Sequence, residues 1–323
     1  MIKIAMILIW ILLSFIFALF YEWFDRKVYA HFQNRVGPQM AGYKGILQPL
    51  ADFIKLLNKQ SIFPKGSNTF LINFSAISSV ALMFFILLFI PLYNLNAPLS
   101  LSGDLILLFG IGVFIDLLII ITGYSVACPY SNEGAARKAE MIISFEIPFG
   151  ISIATIIAIS KSITIKDSLL FQSLGIPLII FMPLSFIAYI FSSIAKIEKA
   201  PFDAPIAESE IVAGWTTEIS GRTLALFRLS FDLDMYFVAS FGAILFLGGP
   251  ALPYFNYPGL LFLNQTLNFV MFFIKTSLIV FLITMIRSIT ARYRIDQVIN
   301  YFWKVIIPLA MLNLIIIIIF GMG

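Results

Sequence analysis

The chain has 323 residues, of which 60% are hydrophobic and only 12% charged, with a formal net charge of +4. A mean hydropathy of +0.99 excludes an ordinary soluble domain and points to an integral membrane protein. A single cysteine, Cys128, and a single histidine, His31, exclude an internal disulfide and a cysteine-cluster or bis-histidine metal site.

Apolar runs long enough to cross a bilayer, which takes roughly 20 residues, recur along the chain. They predict spans over 2–20, 70–93, 104–123, 141–160, 175–195, 235–255, 265–286 and 301–321. Lys3 precedes the first run and no small-residue cleavage site follows it, so it reads as a retained span. Between the first two spans, Ile46, Leu47, Leu50, Phe53, Ile54 and Leu57 recur at helical spacing. They predict an amphipathic helix over Gly45–Asn58 lying at the interface, with Lys55 and Lys59 near its polar side. Gly248-Gly249-Pro250 interrupts the sixth run, which is expected to break or end early. No internal repeat or low-complexity tail is evident. The expected fold is therefore all-α: about eight transmembrane helices plus an interfacial amphipathic helix, forming one membrane domain over residues 1–323.

Basic residues are unevenly divided between the two sides. Loops after odd-numbered spans carry sixteen Lys and Arg, and the opposite side carries only Lys3, Lys161 and Lys166. By the positive-inside rule, both termini are expected outside and the long charged loops in the cytoplasm. Such a one-sided surface predicts a cytoplasmic partner docked on a membrane base. A solute carrier would more often show repeats.

The segment Lys196–Asp234 holds nearly a third of the charged residues of the chain. Within it, Glu208, Glu210 and Glu218 follow a turn bracketed by Pro201 and Pro205, with Asp203 between the prolines. Pro205 and the early acids signal a helix start. Glu210, Gly214 and Glu218 would then share one helix face, and Gly214 would leave room for water or a neighbouring backbone. Because Ile211, Val212, Ala213 and Trp215 lie between them, these acids are expected to form a buried cluster rather than a solvated helix end.

Asp116 falls near the middle of the third span, Glu146 in the first half of the fourth and Lys275 at the centre of the seventh. Ionisable groups at membrane depth are costly and face a cavity or each other. Two readings stay open for each: a proton relay, or a satisfied structural ion pair. Glu140 is expected at the cytoplasmic mouth beside Arg137 and Lys138. Asp25, Arg35, Arg137, Asp203, Arg222, Arg228, Arg287, Arg292, Arg294 and Asp296 belong to a charged rim for docking or headgroup contact, and Asp296 could pair with Arg292 or Arg294. His31 reads as a surface histidine and Cys128 as a packing residue.

Four motifs carry a family resemblance. They are Phe24–Gln60, with its RVGP turn and LQPLAD helix; Ala136–Gly150, ARKAEMIISFEIPFG; Ala200–Gly221, APFDAPIAESEIVAGWTTEISG; and Arg292–Leu309, RYRIDQVINYFWKVIIPL. In this order the chain resembles, along essentially its whole length, the H-type membrane subunit (subunit 1) of respiratory complex I and of energy-converting membrane-bound hydrogenases. The resemblance implies eight tilted spans and a hydrophilic module docked on the cytoplasmic face. It also implies a polar path into the membrane that starts at the carboxylates corresponding to Glu146, Glu208, Glu210 and Glu218. Two departures argue against a quinone tunnel: Lys196 stands where quinone-linked members carry a glutamate, and Phe231 where they carry an acid. EKAPFD, SGRTLALFRL, PYSNEGAARKAEM and FLGGP resemble the hydrogenase-related branch instead.

The implied function is a non-catalytic membrane subunit of a ferredoxin-linked, hydrogen-evolving or sulfur-reducing complex, linking electron transfer to H⁺ or Na⁺ translocation. Its alternative is the quinone-site subunit of an NADH:quinone oxidoreductase. The implied partners are hydrogenase-like large and small iron–sulfur subunits, antiporter-like membrane subunits and lipids, with no nucleic acid. The iron–sulfur clusters and a NiFe or related metal site are expected on the partner subunits, and no cofactor in this chain.

Overall fold

In a computed structural model the described residues are 2–173, 177–250 and 261–320, and they form helices joined by turns and short irregular segments. The helices are α1 (Ile2–Phe32), α2 (Gln48–Asn58), α3 (Thr69–Leu87), α4 (Asp104–Ser125), α5 (Pro129–Ser160) and α6 (Ile165–Ser173). After these come α7 (Pro183–Lys196), α8 (Glu208–Ile211), α9 (Gly221–Leu247), α10 (Leu261–Ile289), α11 (Ile295–Tyr301) and α12 (Ile307–Phe320). Among the described residues, seven helices are long and apolar enough to cross a membrane, the last running continuously through α11 and α12. The remaining predicted span, the fifth (175–195), is α7, a shorter apolar helix of 14 residues. Pro183 occupies its first turn, where a missing N–H costs nothing, and so fixes where it begins. Parts of three expected spans (175–176, 251–255 and 321) lie outside the described residues, as does most of the loop after α9.

Two spans form the centre. α9 packs against α1, α3 and α10, and α5 packs against α4, α7 and α12. Their neighbours turn broad apolar faces outward, for example Leu8, Ile9, Leu12 and Ile16 on α1. Aromatic rings fill the space between centres: Phe149 of α5 stacks on Tyr189 of α7 at 5.1 Å and meets Phe241 of α9 at 6.4 Å.

The boundaries differ from hydropathy at informative places. α5 begins at Pro129 and α9 at Gly221, so Lys138, Asp232 and Asp234 are helical and lie inside the bundle instead of in loops. α9 stops where expected, with Gly248 in the left-handed region at φ 74°. In the last span, Pro308 offers no N–H to the carbonyl of Lys304, and the hydrogen-bond ladder widens into a π turn over Phe302–Ile306.

The amphipathic helix is α2, starting at Gln48 after a tight turn. It packs against α9 and α1, with Phe53 meeting Phe15 edge-on at 6.1 Å. Arg26 of α1 ties it down through Asp52 at 2.7 Å, itself braced by Glu22 at 2.6 Å. Burial pushes the Asp52 carboxyl up, but the N–H groups of Arg26 and Gln48 more than offset this and hold it below its usual value. A depressed carboxyl contributes stability above its unfolded pKa and loses it as pH falls through the folded one. The α2–α1 attachment should therefore persist at neutral pH and loosen only below the usual carboxylate range. Hydrogen exchange of residues 48–58 against pH checks this, and loosening already at pH 6 would contradict it.

Candidate functional site

The bundle holds a row of buried charges of alternating sign. Lys138 of α5 places Nζ 2.9 Å from Asp116 Oδ1 of α4 and 2.9 Å from Glu198 Oε1, just past α7. The other oxygen of Asp116 contacts Lys196 Nζ, at the end of α7, and Lys196 reaches Glu146 Oε1 of α5 at 2.9 Å. The sequence of contacts is thus Glu198, Lys138, Asp116, Lys196, Glu146. All five side chains are buried, as is nearby Asp234 of α9.

Local sequence makes this row possible. Lys138 and Glu146 lie eight residues apart on α5, about two turns, and so share its inward face with Met141, Phe145 and Phe149. Gly112, one turn before Asp116, leaves space for the Lys196 ammonium: a Cβ there would stand 3.3 Å from Nζ. The ammonium groups also lie over aromatic faces, Lys138 at 5.4 Å and Lys196 at 5.8 Å from the Phe145 ring centroid. Trp215 donates from Nε1 to Glu198 Oε2 at 3.0 Å, fixing the outer end of the row.

Four carboxyl groups therefore face two ammonium groups. Glu146 Oε2 and Asp234 Oδ1 accept no hydrogen bond from any described residue. Glu198 Oε1 also lacks the alignment of a hydrogen bond, although its 2.9 Å approach to Lys138 is a close ion pair. For a pair at this distance the charge separation decides the interaction, and the ion pair is the relevant description.

Glu198 also lines two adjoining cavities of about 650 and 320 Å³. The larger lies between α1, α2, α9 and the 197–208 segment, at the end of the bundle that carries the long charged loops. Its walls include Glu22, Asp52, Asp232, Arg26, Lys199 and Arg228. The smaller shares Phe231 with it and adds Trp215 and Phe227. Glu198 is thus the one member of the row that borders both cavities. Its backbone is left-handed, at φ 50°, a strained setting for a residue with a side chain.

The sequence-predicted residues divide. Asp116 and Glu146 come together as described. Lys275 lies apart from them, on α10, where its Nζ donates to the Gly249 carbonyl at the end of α9 at 2.8 Å. Glu208, Glu210 and Glu218, expected as a buried cluster on one helix face, are all exposed. The helix ends at Ile211, Val212 turns the chain at φ 62°, and a 3-10 turn covers Gly214–Thr216. Inside it Ile211 and Trp215 point inward, so the apolar neighbours are buried and the acids are not. Gly214 does make room for a neighbouring backbone, that of Pro205. Glu210 pairs with Arg137, which also holds Glu133 at 3.2 Å, and Glu140 is exposed.

The expected rim is partly interior. Asp25 is buried and accepts from Lys199 at 2.7 Å, Arg287 at 2.8 Å and Thr284 at 2.7 Å. Arg287 lies over the Tyr29 ring at 4.3 Å. Arg292 approaches Asp203 at 3.1 Å, and burial pushes the Asp203 carboxyl up against the pull of that guanidinium. Arg35, Arg222, Arg228, Arg294 and Asp296 are exposed. Among the described residues Asp296 makes no ion pair, because Arg292 is turned to Asp203 and only the backbone of Arg294 joins the cap of α11.

Lys138, Lys196, Glu198 and Asp234 did not stand out as a site in the sequence. The available signal was the eight-residue interval between Lys138 and Glu146 along the inward face of one helix.

Comparison with known proteins agrees with this architecture. A family model described as NADH dehydrogenase matches residues 2–318. The fold is similar to that of a chain in the structure of the membrane-bound sulfane sulfur reductase, an archaeal respiratory membrane complex. The TM-score is 0.86 at 24% identity, covering 98% of this chain and 99% of the other.

Proposed function

Since the chain belongs to the NADH dehydrogenase family of complex I subunit 1 proteins, membrane subunits of energy-converting complexes, we propose that its buried charge row couples electron transfer in a docked module to ion translocation. The observation that carries this is the alternating order Glu198, Lys138, Asp116, Lys196, Glu146, with one end at a cavity and the other inside the membrane. Each lysine is held by two carboxylates. Protonating or displacing Glu198 frees Lys138 to draw on Asp116. Asp116 then releases Lys196 towards Glu146, so a change at the cavity is passed along the row without any group leaving it. Such buried pairs are poorly served by net stability and well suited to switching. The surplus of carboxyl groups, with Glu146 Oε2 and Asp234 Oδ1 lacking donors among the described residues, supplies proton-holding sites.

The complex in this reading is ferredoxin-linked and of the hydrogenase type, evolving hydrogen or reducing sulfur compounds, and moves H⁺ or Na⁺. Hydrophilic large and small iron–sulfur subunits dock on the charged end, which faces the cytoplasm by the positive-inside rule, with both termini outside. Those subunits hold the iron–sulfur clusters and the NiFe or related metal site, and antiporter-like membrane subunits flank the bundle. The charged lining of the larger cavity favours this over a quinone site, since pockets for apolar ligands are lined mainly by apolar and aromatic side chains.

Glu146→Gln and Glu198→Gln, each in the assembled complex reconstituted into vesicles, should lower ion translocation at least tenfold. Electron transfer through the soluble module in detergent should stay near the wild-type rate. Unchanged translocation in both variants would overturn the proposal.

A further inference from the structure

At the charged end of the bundle, on the opposite side of α1 from the cavity bordered by Glu198, a separate open groove of about 630 Å³ lies between the end of α1 and α10. One wall is basic, formed by Lys27, His31 and Arg35, and the other is apolar, formed by Phe32, Val36 and Phe281. Among the described residues no carboxylate lines it. The rings of Phe32 and Phe281, both lining it, meet at 6.0 Å. Lys27 is anchored by one bond from Nζ to the Pro38 carbonyl at 3.0 Å, which leaves two of its ammonium hydrogens for a ligand. His31 and Arg35 are exposed.

The carbonyl end of a helix ordinarily repels an anion. Here the chain turns back on it: Gln33 donates to Ala30 at 3.1 Å, Asn34 to His31 at 3.1 Å and Arg35 to Ala30 at 2.9 Å. Those carbonyls are thereby satisfied, and the groove presents donors.

From Phe281 an outward apolar stripe continues along α10 through Leu278, Ile274 and Val270, at intervals of three and four residues. Eleven residues of helix span about 16 Å, close to half of a hydrocarbon core of roughly 30 Å. A basic recess at the membrane surface thus joins an apolar track one leaflet deep. We propose that this groove is a binding site for an acidic phospholipid, with its phosphate held by Lys27, His31 and Arg35 and an acyl chain lying along α10. The charge complementarity and the length of the track select a lipid over a free anion.

The test uses the full chain in its membrane assembly, equilibrated in nanodiscs of equal phosphatidylglycerol and phosphatidylcholine and then stripped with mild detergent. Native mass spectrometry counts the lipid retained. Wild type should keep phosphatidylglycerol, and His31→Gln/Arg35→Gln should lose it roughly fivefold or more. Lys59→Gln/Lys65→Gln, which changes exposed lysines elsewhere on the same end, should retain it as wild type does. Equal retention in the His31/Arg35 variant would overturn the site. So would displacement of the lipid by excess inorganic phosphate, or a photo-crosslinker at position 281 reacting with a partner chain instead of with lipid.

Discussion

Replacing Lys196 with methionine should destabilise the bundle by about 3–5 kcal/mol, the usual cost of leaving buried charges without their partner. Lys196 is buried and contacts both Asp116 and Glu146. Methionine fills nearly the same volume, so the loss is electrostatic, not a cavity. Asp116 would keep Lys138, but Glu146 would keep no cation among the described residues. Thermal or denaturant unfolding in detergent measures the loss. Adding Glu146→Gln to Lys196→Met should restore much of the stability, because the orphaned charge is then gone, and contacting residues couple by about 0.5–3 kcal/mol. Ion translocation should stay lost in the double variant. A loss under about 1 kcal/mol for Lys196→Met, the range of exposed pairs, would mean that water reaches the row freely and that it is not a buried relay.

The membrane class and the helix count were legible because a bilayer demands runs of roughly 20 apolar residues whatever the tertiary packing. Asp116 and Glu146 were legible for the same reason, as charges inside such runs. Lys138 and Lys196 were not. Hydropathy places both in loops, since each sits where charges accumulate, and the loop count treats them as surface anchors. In the fold, α5 starts at Pro129 and carries Lys138 inward, while Lys196 closes α7 beside Asp116. Their charges are tolerated because acids from other helices meet them, and that pairing is a tertiary fact that no local window contains.

Glu208, Glu210 and Glu218 show the converse. Their apolar neighbours suggested burial, but neighbours in sequence share an environment only where the backbone is regular. Val212 at φ 62° and Gly214 at φ 57° break the helix, so Ile211 and Trp215 go in and the acids go out. The acid patch remains part of the charged end. Through Arg137 it is joined to the helix turn that bears Lys138, and so by contact to the buried row.

Gly214→Ala should be the most damaging single-methyl change in the chain's charged end. A Cβ on Gly214 would stand 1.8 Å from the Pro205 carbonyl oxygen and 2.8 Å from its carbon, both backbone atoms. The turn at φ 57° adds a strain of about 1–2 kcal/mol for any residue with a side chain. The two segments must then separate, and α5 is locked to the same turn: a Cβ on Gly134 would meet Trp215 N at 2.3 Å. Ser131 of α5 also donates to the Trp215 carbonyl at 3.0 Å. Separation should therefore cost about 4 kcal/mol or more, in the range reserved for overpacked cores and strained backbones. It should also carry Trp215 Nε1 away from Glu198 and release the outer end of the row. The variant should unfold at lower denaturant, and the emission of Trp215, isolated by replacing the other three tryptophans with phenylalanine, should shift towards that of a solvated indole. Wild-type stability together with unchanged Trp215 emission would show that the 205 and 214 turns can part without disturbing Glu198, and would remove the structural link between the charged end and the row.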